Sequence, residues 1–134
     1  MANGKNFNLF LIDGEATGRI KCTLANWTGI AYKIPRTYLE KCKERADLKQ
    51  SGVYFLFGKN NQDEEQVYIG QADSRNNGNG VLSRIIEHLK DVEYFSDVVI
   101  LTTQNNSFGK TEISYLENRF TSLAIDNARY TVIN

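Results

Sequence analysis

The chain begins with an apolar, strand-forming run, Phe7-Asn-Leu-Phe-Leu-Ile12, which Asp13-Gly14 and Gly18 interrupt. Arg19-Ile-Lys-Cys-Thr-Leu24 follows, with Ile20, Cys22 and Leu24 alternating against polar neighbours. A period of two bounded by Asp and Gly predicts a β-hairpin with a loop of several residues, and a short third strand is expected over Gly29–Ile34. Thr37 stands three residues before Glu40, the spacing of a capping box, so a helix is predicted from Thr37 to about Leu48. On that helix Lys41, Arg45 and Lys49 would share one face, where like charges repel by roughly a few tenths of a kcal/mol. Such a stripe suits an anionic partner, and solvated side chains explain it almost equally well.

Beyond Ser51-Gly52 the pattern returns to a period of two. Val53, Phe55 and Phe57 alternate with Tyr54 and Leu56, and Val67-Tyr-Ile-Gly70 follows the polar stretch 59–66. A symmetric hairpin centred on Asn61 would set residue 54 opposite residue 68, with both tyrosines on one face. Residues 73–80 form a polar loop whose Gly78 and Gly80 lack the lysine and spacing of a phosphate-binding loop. Leu82, Ile85, Ile86 and Leu89 fall at helical spacing and predict a helix from Val81 to about Lys90, with Arg84 and His88 on its opposite face. Asp97–Thr103 reads as a buried strand. Ile113, Leu116, Phe120 and Leu123 mark a last helix over about Lys110–Ala124, and Tyr130–Ile133 reads as a closing strand or extended tail.

Composition narrows the classes. The chain has 134 residues, 41% of them hydrophobic and 24% charged, which suits one globular domain without a long linker. No apolar run reaches the ~18 residues of a membrane helix, and the polar start carries no secretory signal. Cys22 and Cys42 form no C-x-x-C pair, so reduced thiols in a cytoplasmic setting are expected rather than a disulfide or a zinc site. Net charge is zero, yet residues 1–50 carry nine basic and five acidic side chains, net +4, and residues 51–134 carry net −4. An anionic partner would be drawn to the first part.

Several residues have chemical potential. Arg84 and His88 project together, two tyrosines share a hairpin, and Glu117 sits in mid-helix on the shoulder of an apolar stripe. Glu112, in the first turn of the same helix, is accounted for by the helix dipole. Taken in order, Gly52-Val53-Tyr54, Tyr68-Ile69-Gly70, Arg84 with His88, Glu117-Asn118 and Asn134 resemble the motifs of the GIY-YIG nuclease family, over residues 52–134.

That resemblance implies an α+β core at 52–134, a small central antiparallel sheet of three strands flanked by helices. Residues 1–51 would form a β-hairpin and helix extension packed on it. It implies a DNA endonuclease or nickase dependent on Mg2+ or Mn2+. Tyr54 would be the general base, Tyr68 a phosphate contact, Arg84 the neutraliser of developing charge, Glu117 the metal ligand, and Asn134 an orienting group. Some members carry Lys where Gln71 stands. Gln71 cannot take a proton, so activation of Tyr54 would pass to His88 or to metal-bound solvent. DNA contacts are expected from Lys33, Arg36, Lys41, Arg45, Lys49 and Gln71. The resemblance also extends to longer bacterial proteins with a further C-terminal domain. The alternative is a nucleic-acid-binding or protein-interaction module that uses the fold without cleaving.

Overall fold

A computed structural model describes residues 6–24, 28–73, 80–88, 95–104, 109–127 and 130–133. β1 (Phe7–Leu11), β2 (Ile20–Leu24) and β3 (Gly29–Pro35) form an antiparallel meander. β4 (Gly52–Lys59) and β5 (Glu65–Ala72) form a hairpin, β6 (Phe95–Thr103) lies beside β4, and β7 (Thr131–Val132) closes the order. All seven belong to one sheet, ordered β1-β2-β3-β6-β4-β5-β7.

The expected three-stranded sheet flanked by helices is therefore corrected. β5, β4 and β6 do lie side by side and antiparallel, but neither edge of that trio ends the sheet. β3 pairs with β6 over seven residues, from Gly29 opposite Thr103 to Pro35 opposite Asp97. β7 adds to β5 in parallel, making the sheet mixed. The reason lies in the backbone: an apolar inner strand leaves an edge of N–H and C=O groups that needs partners. The meander supplies them, so the first strands extend the sheet rather than pack on its surface.

The single helix expected over 37–48 is also replaced. Arg36–Cys42 and Ala46–Lys49 are two 3-10 helices, and Arg45 between them is extended. Pro35 stands at the N-cap without a side-chain cap bond, so Thr37 does not serve as one. Leu39 and Cys42, three residues apart, are both buried, as is Leu48. A period of three matches the tighter helix, whose side chains eclipse at i and i+3. Lys41, Arg45 and Lys49 accordingly share no continuous helix face.

Helices cover both sheet faces. α1 (Gly80–His88) and the 3-10 helices close a core with Tyr32, Ile34, Leu39, Leu48, Tyr54, Leu56, Ile85 and Ile100. α2 (Lys110–Asn127) covers the other face, with Val53, Val67, Ile69 and Ile113 against Phe55, Leu116 and Phe120. Leu123, expected in that stripe, is exposed, and Ala124 packs instead. Leu89 and Lys90 lie outside the described residues, and so do residues 74–79 of the polar loop. No helix among the described residues is long and apolar enough to cross a membrane.

Two local devices set the geometry of the site. Asn60 accepts backbone N–H bonds from Gln62 and Glu64 through Oδ1, and Asp63 takes a φ of 62°. This turn of side-chain-to-backbone bonds moves the hairpin centre from 61 to 62. Tyr54 thus faces Gly70, and Leu56 faces Tyr68, in place of the expected 54–68 pair. Gly80, at a φ of 74°, starts α1 hard against the backbone of Lys49 and Gln50, and the Val81 N–H donates to the Gln50 carbonyl at 2.9 Å. α1 is thereby anchored to the second 3-10 helix.

Candidate active site

Tyr54 stands near the middle of β4, in the ladder between β5 and β6, and is 1% exposed. Its ring runs across Gly70, where a Cβ would collide with Cζ and Oη. The glycine of the second tripeptide thus provides the passage by which a buried tyrosine carries its hydroxyl toward the β5 edge. Tyr68, two ladder positions away and so on the same face, stacks on it with ring centroids 6.2 Å apart and planes 24° from parallel. Sharing a face survives the shift in register because a displacement of two along the pair preserves alternation.

α1 lays its last turn over this pair. The His88 ring lies 5.0 Å from Tyr68 and 6.0 Å from Tyr54, so His88 packs with the tyrosines instead of facing solvent. Arg84, one turn earlier, donates from Nη1 to Glu87 at 3.2 Å and interacts with the Tyr54 hydroxyl. Burial pushes the Tyr54 phenol well above its usual range, Tyr68 and Glu117 push the same way, and Arg84 pulls it down. In this arrangement Tyr54 holds its proton at neutral pH.

Glu117 arrives from the other face. α2 packs over Ile69, and Gln71, on that same face of β5, accepts through Oε1 a hydrogen bond from Ser114 at 3.2 Å. Ser114 and Glu117 are three residues apart on α2, hence neighbours on its surface. With its oxygen engaged, Gln71 turns its amide N–H groups to Glu117. Burial raises the Glu117 carboxyl, and this bond from Gln71 opposes the rise. β7 covers β5 only at Gln66 and Val67, leaving the outer edge at Gly70 and Gln71 without a strand partner among the described residues. The two faces meet there: Tyr54 reaches across Gly70 from one, and Glu117 approaches through Gln71 from the other.

Tyr54, Tyr68, Arg84 and His88 are thus brought together on one sheet face, while Glu117 stands with Gln71 on the other and reaches Tyr54 only through its charge. Asn134 lies outside the described residues. The expected DNA contacts disperse. Lys33 is exposed on β3, opposite Val99 and Ile20, and Arg36 lies over the Phe95 ring at 4.5 Å while donating to the Phe95 carbonyl. Lys41 and Arg45 lie over Tyr38 and Tyr32, and Lys49 is exposed at the end of the second 3-10 helix. Gln71 belongs to the Glu117 side. Sequence reasoning missed that role and the passage over Gly70. Ser114, three residues before Glu117, was the available signal for the first. No sequence signal marked the second, since register alone places residue 70 under Tyr54.

Among the described residues no group of three or more His, Cys, Asp or Glu side chains gathers as a metal site. A single half-buried carboxylate matches a hydrated Mg2+, which takes one or two carboxylates and completes its shell with water and phosphate oxygens. It does not match a zinc site or an all-protein calcium cage. Comparison with protein-family models, with curated proteins and with solved structures finds no match to this chain.

Proposed function

We propose that this protein is a divalent-metal-dependent DNA endonuclease or nicking enzyme of the GIY-YIG kind, hydrolysing a phosphodiester bond where Tyr54, Tyr68, Arg84 and His88 meet beside Glu117. The observation that carries the reading is the packing of Tyr54, Tyr68 and His88 on one sheet face at the β5 edge, with Arg84 at the Tyr54 hydroxyl and the Glu117 charge acting on it from the other face.

Phosphodiester hydrolysis needs a base for the attacking water, charge neutralisation on the phosphate, and help for the leaving oxygen. Tyr54 takes the proton of a water whose oxygen bonds to phosphorus, and the bond to the 3′ oxygen breaks. Arg84 faces the non-bridging oxygens, and its approach to Tyr54 favours the phenolate that burial disfavours. Tyr68 donates to the phosphate. His88, beside both rings, would receive the Tyr54 proton, a task that Gln71 cannot perform. Glu117 would hold Mg2+ or Mn2+, which supplies positive charge at the leaving oxygen. The net +4 of residues 1–50 favours association with a polyanion.

A supercoiled-plasmid nicking assay tests the reading. Nicking that needs Mg2+ and disappears in Glu117→Gln, with folding retained, is the expected result. No nicking by the folded wild-type chain with either Mg2+ or Mn2+ would leave a non-cleaving module as the better account.

A further inference from the structure

The cations that fail to line one helix are gathered in another way. Arg19, just before β2, and Lys21 within it lie two residues apart, and the 3-10 segment opposite presents Lys41 and Arg45. Two tyrosine rings stand between them. Arg19 and Lys41 both lie over Tyr38, at 5.9 and 4.7 Å, while Lys21 and Arg45 both lie over Tyr32, each at 5.8 Å. Cations held together this way repel one another, and a ring shared by two offsets only part of that cost. Two carboxylates touch the set: Asp13 binds Arg19 at 2.7 Å, and Asp47 lies 3.8 Å from Lys21 while accepting the Tyr32 hydroxyl at 2.5 Å. Lys41 and Arg45 make no ion pair with a described residue. The face is therefore a pre-ordered excess of positive charge.

Beside it opens a groove of about 520 Å3 lined by Asn8, Leu9, Phe10, Lys21, Thr23 and Arg45. Phe10 is 61% exposed on the edge strand, directly opposite Lys21. The ladder continues from Lys21 to Tyr32, Ile100, Tyr54 and Gly70, so Phe10 lies on the sheet face that carries the tyrosine pair. At ~4.8 Å per strand it stands roughly 19 Å from Tyr54.

We propose that this groove, between Phe10 on the edge strand and Arg45 between the 3-10 helices, binds an unpaired stretch of DNA. The substrate class is then DNA with a single-stranded segment, an inference that rests on the endonuclease reading. Duplex DNA hides its base faces within its own stack, so an exposed phenyl ring in a groove shared with Lys21 and Arg45 has no use for it. A splayed strand offers a base face to Phe10 and phosphates to Lys41 and Arg45. Charge favours this occupant over a second copy paired along β1, because a two-fold axis at that edge would bring Lys21 and Arg45 toward their own copies.

The test is fluorescence anisotropy in EDTA, where no cleavage occurs, with a labelled oligothymidine 12-mer and a blunt duplex of the same length. The single strand should bind at least tenfold tighter. Phe10→Ala should weaken single-strand binding by on the order of tenfold or more and leave duplex binding within twofold. Lys41→Ala with Arg45→Ala should lower the log–log salt slope for the single strand by about 1.4. Phe10 and Lys41 are exposed, so these variants should fold, which unchanged melting temperatures would verify. Equal affinity for the two DNAs, or a Phe10→Ala protein that binds the single strand as the wild type does, overturns the proposal. So does a wild-type dimer that Phe10→Ala converts to monomer without change in DNA affinity. Binding that behaves as expected in a protein unable to nick plasmid supports the groove and removes the endonuclease reading alone.

Discussion

The Tyr54 ring lies across the bare backbone of Gly70, and a methyl group there would overlap its Cζ and Oη. The pairing is a direct ladder contact between β4 and β5, so neither residue can move without disturbing the sheet.

Gly70→Ala should therefore cost about 1–3 kcal/mol of stability through overpacking. Tyr54→Phe will not relieve it, because Cζ as well as the hydroxyl occupies the space. Tyr54→Leu should relieve it, since the shorter side chain stops before Gly70. A double-mutant cycle by urea unfolding checks this, and additive costs for Gly70→Ala and Tyr54→Leu would deny the contact.

The base is tested by Tyr54→Phe, which keeps the buried ring and removes one oxygen. Nicking should fall ~10²–10⁴-fold, the usual loss on removing a general base. Burial raises the Tyr54 phenol, so in His88→Ala, where no relay takes its proton, the residual rate should climb with pH through neutrality without a plateau below about pH 9. The sign for stability is opposite. A phenol raised in the folded state stabilises the fold below its unfolded value near 10, and that contribution is lost as pH rises further. A residual His88→Ala rate independent of pH between 6 and 9 would exclude Tyr54 as base.

Glu117→Gln should abolish metal-dependent nicking and weaken Mn2+ binding. Glu112→Gln should do neither, because Glu112 is exposed in the first turn of α2. Gln71→Leu and Ser114→Ala remove the bond that turns the Gln71 amide toward Glu117, and each should weaken Mn2+ binding about 10–100-fold, as partners of metal ligands do. Free-Mn2+ electron paramagnetic resonance reads the affinity directly. Undiminished affinity in Gln71→Leu would mean that Glu117 is held by packing alone.

Asp13 gives a pH effect away from the site. The Arg19 side chain, then its backbone N–H, hold the Asp13 carboxyl down at about 2. A lowered carboxyl stabilises the fold above its unfolded value near 4 and loses that contribution as pH falls toward 2. Asp13→Asn should melt lower than wild type at pH 6, with the gap closing between about pH 4 and pH 2. A gap that stays constant over that window would deny the Arg19 pair its role.

The sequence by itself determined the strands around 7–12, 19–24, 53–57 and 67–70 and the two α-helices, because alternation at two and recurrence near 3.6 are local consequences of burying one face. It also marked Tyr54, Tyr68, Arg84, His88 and Glu117, whose motifs are short and read in order. What it could not determine depended on partners distant in the chain. β6 takes β3 on one side and β4 on the other, and no local period says how many strands a sheet will recruit. The capping-box spacing of Thr37 and Glu40 yielded to Leu39, Cys42 and Leu48, which bury against the sheet only as 3-10 turns. The register that slides Tyr54 over Gly70 was set by the side-chain bonds of Asn60, and a shift of two positions leaves the polar pattern unchanged. His88 stands opposite the apolar stripe of its helix, and only the tyrosine pair beneath α1 shows that it packs on both rings.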